Sequence, residues 1–198
     1  MGLAPQGLRL AVGGRIVPTG HTRSLPRLPS NLHRMDDVRD DDVRDLDEAQ
    51  LFTSLDWNRS VVVRKLDGLT LDQATHLVTP SGLTLLGVVR HLAWCERGWF
   101  GHFFLGESND GVDDDDASFS VKSASSVEEV VADYLAAIER SRDIVRDQPS
   151  LEVRSALPHE YFGFVTLRWI LLHMATETTR HAGHLDILRE LTDGQTGY

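Results

Sequence analysis

The segment Leu167-Arg-Trp-Ile-Leu-Leu-His173-Met-Ala-Thr-Glu177-Thr-Thr-Arg-His181-Ala-Gly-His184-Leu-Asp186-Ile-Leu-Arg-Glu190 carries the clearest helical period in the chain. Leu167, Ile170, Met174, Glu177, His181, His184, Leu188 and Leu191 follow at intervals of three and four, which places them on one helix face. The spacing predicts a helix from about Thr166 to Leu191, with Gly194 as its stop signal. The face is apolar at both ends and polar in the middle. A core-facing Glu and two core-facing His lose hydration, which is costly unless a partner compensates. A bound cation is one such partner and a hydrogen-bonded network is the other. Glu177 and His181 are four residues apart, so their side chains can converge on one ion. His173 lies about 12 Å along the axis from His181, too far to share a metal easily. The residues alone leave three pairings open: His173–Glu177, Glu177–His181 and His181–His184.

Three further helices precede this one. The first is expected from about Asp47 to Leu66, closed by Gly68, with a short helical turn at Leu71–His76 and a break at Pro80-Ser81-Gly82. The second runs from about Leu83 to Leu105 and stops at Gly106. Residues 106–124, with the acidic run Asp113 to Asp116, read as a solvated surface loop; they lack the ligand spacing of a calcium-binding EF-hand loop. Ser126-Val-Glu-Glu129 is a capping-box signature for a third helix that ends near Asp147, before Pro149. An irregular stretch then runs through Pro158, and Leu151–Leu157 is the only β candidate. Four amphipathic helices with one long crossover loop define an all-α four-helix bundle.

The second helix offers a partner for the polar patch. Thr84, Val88, His91, Cys95, Gly98 and His102 share a face, and the small Val88 and Gly98 leave room for a cavity beside His91. Arg90 and Arg97 lie on another face, toward solvent. Taken singly, His91 reads as a core histidine bonded to backbone and Cys95 as a small core residue. Three protein ligands from two helices would leave room for water or substrate, as in catalytic zinc sites. The Glu-x-x-His pairs of di-iron bundles are absent, as are H-E-x-x-H, the P-loop, G-x-G-x-x-G and G-x-S-x-G.

Composition bounds the rest. The 198 residues carry a formal net charge of −10, which argues against nucleic-acid binding as the default. No apolar stretch approaches the roughly 20 residues of a membrane span. Cys95 is the lone cysteine, so no internal disulfide or cysteine-cluster metal site exists, and the cytoplasm is the expected compartment. Residues 1–34 differ from the remainder: five Arg, four Pro, no acid and no helical period. They read as a disordered or non-native extension ahead of a domain at 35–198. A true start at Met35, a flexible tail and a targeting peptide are the three origins considered. DDVRD occurs twice over residues 36–45, an acidic leader suited to a helix N-terminus. Arg outnumbers Lys 18 to two, as expected of a GC-rich genome.

The last-helix segment, together with Pro80-Ser-Gly-Leu-Thr-Leu-Leu-Gly-Val-Val-Arg-His91-Leu, resembles the DinB-like superfamily over about residues 46–198. It is most similar to the actinobacterial branch that includes the mini-circle protein. The resemblance implies a DinB/YfiT-like four-helix bundle with one divalent metal held between helices. It matches His91 to the ligand of the second helix and His181 to the final ligand of the last. Glu177 stands where the superfamily usually has His, a departure similar to that of mycothiol-dependent maleylpyruvate isomerase. Carboxylate and imidazole both suit zinc, with nickel, manganese or iron open. His184 is implied to stand close behind these ligands. The resemblance further implies a metal-dependent thiol S-transferase, with mycothiol as co-substrate and a small electrophile as second substrate. Trp94, Trp99 and Trp169 are candidate pocket walls, and Cys95 is not required as nucleophile. A metal-dependent hydrolase and a non-catalytic metal-stabilised stress-response or binding protein are the alternatives. Homodimerisation is a family-level expectation without a residue that argues for it.

Overall fold

Four side-chain hydroxyls set where helices begin. Thr70, Thr84, Ser126 and Thr166 sit in extended backbone and accept from the N–H groups of Gln73, Gly87, Glu129 and Trp169. Each satisfies a donor that the first helical turn leaves over. The computed structural model describes residues 48–108, 115–122, 124 and 126–197, all within one unit that spans residues 45–198. The elements are α1 (Glu48–Arg64), α2 (Leu71–Ala74), α3 (Leu85–Glu96), a π-helical segment (Arg97–Phe104), α4 (Asp115–Ser118), α5 (Val127–Arg146) and α6 (Leu167–Asp193). Residues 1–34, the DDVRD repeat, and Asp113 and Asp114 lie outside the described residues.

The all-α expectation is borne out. α1 packs along α6, α3 packs along α5, and α3 also meets α6. No strand occurs among the described residues. The β candidate Leu151–Leu157 forms one isolated bridge, Arg154 to Thr166. There Ser155 N–H donates to the Val165 carbonyl at 2.8 Å and Leu167 N–H to the Val153 carbonyl at 2.9 Å. These bonds tie the crossover to the start of α6. Gly194 has φ +79° and closes that helix, as the stop signal predicts. Leu191, expected on the core face, is 56% exposed, whereas Leu188 and Arg189 one turn earlier are buried.

The largest departure lies in the second predicted helix. Its α-helical winding ends at Glu96 and the next eight residues wind as a π-helix, with hydrogen bonds to the fifth residue back. A π turn holds more residues than an α turn, so the face shifts: Trp99, Phe100 and Phe104 are buried.

Burial divides into two clusters. Val62, Leu66, Leu86, Val89, Leu92, Ile138 and Leu185 lie in an aliphatic one. Leu55, Cys95, Trp99, Phe100, Phe104, Leu171 and Met174 lie in an aromatic-rich one. Along α3 the boundary falls between Ala93 and Cys95, and along α6 between Ala175 and Ala182.

Candidate metal centre

The polar residues singled out on α6 sit at that boundary. Glu177 and His181, one helical turn apart, bring Oε1 and Nε2 to 2.9 Å. His91 approaches from α3, with its Nε2 at 3.8 Å from the same carboxylate oxygen. One ligand-competent atom from each of His91, Glu177 and His181 lies within 4.8 Å of the others. The two imidazole rings stand 4.8 Å apart between centroids. His91 and His181 are buried and Glu177 is half-buried, so the carboxylate marks the open side.

Electrostatics at the cluster favour the ionised carboxylate. The hydrogen bond with His181, then the neighbouring His91 ring, hold the Glu177 carboxyl well below the usual carboxylate range, against the opposing effect of burial. Arg180 adds an ion pair at 3.3 Å. A fixed negative oxygen between two imidazole nitrogens is a donor set that suits a borderline divalent cation such as zinc. The spacing requires little movement for all three to contact one ion.

Supporting contacts orient the rings. His91 Nδ1 lies 2.7 Å from Ser118 Oγ, which leaves Nε2 facing Glu177. Phe119 stacks flat on His91 at 4.0 Å and 10°, and Trp94 stacks at 5.7 Å. His184 Nδ1 lies 3.3 Å from His181 Nδ1, the place expected of it behind that ring. Burial, then the neighbouring His181, hold His184 below the ordinary imidazole value. Cys95 is buried, with Sγ at 3.3 Å from His91 Nε2.

Several expectations need correction here. The Phe119 ring covers one face of His91, while a Cβ added at Gly98 would meet nothing within 4 Å. Residues 115–120 are not a plain solvated loop: they supply Ser118 and Phe119 to His91. Arg90 does not point freely to solvent but donates to the carbonyls of Ala117 at 3.0 Å and Ser118 at 3.4 Å, and to that of Ser120. Gly87 permits this approach, since a Cβ there would stand 2.6 Å from the Phe119 carbonyl oxygen. Arg97 is exposed and pairs with Asp133. His173 joins no ligand pair; its ring stacks on Trp169 at 5.0 Å and 7°. Phe119 carries the one signal that could have pointed to this segment, an aromatic ring in a run otherwise rich in Asp and Ser.

A helical bundle that gathers two imidazoles and a carboxylate between facing helices defines a class of metal-competent bundle proteins. A family model described as mycothiol-S-transferase matches residues 50–194. The chain belongs to that family, which falls within the DinB-like superfamily. No curated protein matches the chain. None of the described helices is long and apolar enough to cross a membrane.

Proposed function

We propose that His91, Glu177 and His181 bind one divalent metal, zinc first among the candidates. In this reading the protein is a metal-dependent S-transferase that joins mycothiol to a small electrophile. The observation that carries it is the convergence of these three donors in a chain of the mycothiol S-transferase family. A bound cation would supply stabilisation of the thiolate form near neutral pH. The chain's own residues do the rest. Ser118 Oγ, 2.7 Å from His91 Nδ1, orients that ring with Nε2 toward Glu177. Phe119 keeps water from one face of that ring. Glu177 stays ionised across the physiological range and, being half-buried, leaves a path for a thiol. Cys95, buried with Sγ 3.3 Å from His91 Nε2, is not required as nucleophile in this reading.

Elemental analysis of protein purified without chelators tests the site. The expected result is about one metal per chain in the wild type. Glu177→Ala, His181→Ala and His91→Ala should lower it while the helical circular-dichroism signal persists. Full occupancy in these variants would overturn the ligand assignment. With metal in place, mycothiol should be consumed only when an electrophile is present. Turnover of esters without thiol would favour a hydrolase, and loss of fold on chelation with no activity would favour a structural metal.

A further inference from the structure

Two rows of residues, each spaced by four, run antiparallel across the α3–α6 contact. One is His91, Cys95, Trp99 and Phe103 along α3 and the π-helical segment; the other is His181, Glu177, His173 and Trp169 along α6. They face each other at both ends. His91 and His181 stand 4.8 Å apart, while Trp99 lies 4.5 Å from His173 and 5.4 Å from Trp169. The first pair of positions holds the metal-competent donors and the second holds rings. Four residues of α-helix advance about 6 Å, so the rings begin one turn from Glu177.

A hairpin-like loop completes the ring cluster. His159 and Gly163 form an isolated antiparallel bridge, which folds His159 and Phe162 over the rows. His159 stacks on Trp99 at 4.9 Å and 14°, and Phe162 meets Trp169 at 4.8 Å. Phe162 is 50% exposed, and Phe103, His159, Trp169 and His173 are each half-buried. So dense a set of partly open rings beside a polar centre is unusual for a surface that binds nothing. No acidic, lysine or arginine side chain belongs to the cluster. Burial keeps His159 and His173 below the ordinary imidazole value, so both rings are largely neutral at pH 7.

We infer that Trp99, Phe103, His159, Phe162, Trp169 and His173 form the subsite for the second substrate, and that it takes planar, uncharged aromatic electrophiles. This rests on the S-transferase reading of the adjacent centre. Ring faces and edges hold another flat ring through offset stacking and edge contacts. The hydroxyls of a sugar-bearing thiol need hydrogen-bond partners, and one ring nitrogen here is already engaged: His159 Nδ1 accepts from the Tyr161 N–H at 3.2 Å.

The test separates binding from turnover. Calorimetric titration of the full-length, zinc-loaded protein with 1,3-dinitrobenzene, a flat neutral ring without a leaving group, should give saturable binding. Nitrocyclohexane should bind at least about tenfold more weakly, since it lacks the ring face. Phe162→Ala, at a half-exposed position, should weaken dinitrobenzene binding by about tenfold, and Phe162→Tyr should restore it. Trp169→Phe provides a second, ring-preserving variant with a smaller loss. Absence of saturable binding, or indifference to Phe162→Ala in a folded protein, would overturn the inference. In turnover, Phe162→Ala should raise KM for 1-chloro-2,4-dinitrobenzene and leave KM for iodoacetamide and for the thiol unchanged. A rise confined to the thiol KM would assign the rings to the thiol and also overturn it. Intact dinitrobenzene binding without any thiol transfer would uphold the subsite and defeat the S-transferase reading.

Discussion

Glu96 on α3 and Glu177 on α6 are carboxylates in contrasting surroundings. Glu96, at the end of α3, is 1% exposed and takes both donors of Arg59 from α1, at 2.8 and 2.7 Å. Asp56 accepts a third Arg59 donor at 3.0 Å. Glu177 has no guanidinium in a two-pronged grip; it meets two imidazoles and a longer contact from Arg180, on the open side of the bundle. A carboxylate gripped at both oxygens by a permanent cation already has its charge compensated. Glu177 instead faces two imidazole rings, without a bidentate cation. The first arrangement ties α1 to α3, and the second is the one that the proposed metal reading uses.

Breaking the closed pair should have the largest effect on stability. Glu96→Gln strands the buried Arg59 charge and should cost about 3–5 kcal/mol, read as a fall in denaturation midpoint, while zinc uptake per folded chain stays unchanged. A loss under about 1 kcal/mol would mean that the pair behaves like a surface ion pair, and the contrast would fail. At the open site, the reverse pattern is expected. Ser118→Ala removes the group that orients His91 and should weaken zinc binding about 10–100-fold, measured by chelator competition, with little change in the metal-free midpoint.

The smallest effect should come from Tyr134, beside the closed pair. Its hydroxyl is fully buried and finds no hydrogen-bond partner among the described residues. Burial first, and the Glu96 charge second, push its pKa well above the ordinary phenol value. The unfolded chain releases this proton near pH 10 and the folded protein does not. Its stabilising share is therefore present below pH 10 and lost as pH rises further. Tyr134→Phe should stay within about 1 kcal/mol of the wild type at pH 7 and denature less readily in alkali. An unchanged alkaline transition would show that Tyr134 does not report on the closed pair.

How much of this was legible in the residues follows the physics of each element. Amphipathic period and capping chemistry are local, so Ser126, Thr166 and Gly194 placed helix ends to within a residue or two. The polar patch on α6 was legible because a Glu and two His interrupt an apolar stripe. What failed was whatever depends on a long-range approach. Nothing between residues 106 and 124 announces that Ser118 will reach His91, since that contact depends on Gly87 and on Arg90 gripping carbonyls about 30 residues away. The rows past Cys95 failed for another reason. An assumed period of 3.6 puts Gly98 and His102 in line, whereas the π winding brings Trp99 and Phe103 there.

That winding also makes the molecule modular for protein engineering. The eight residues Arg97–Phe104 lie downstream of His91, whose position is set by the α-helical turns before them. Deleting one residue from this stretch would turn everything beyond it by about 100° relative to α3. Trp99 and Phe103 would be exchanged for different side chains, while His91, His159, Phe162, Trp169 and His173 lie outside the stretch. A single-codon deletion or insertion there would thus rewrite one side of the ring cluster without replacing a residue of the His91–Glu177–His181 group.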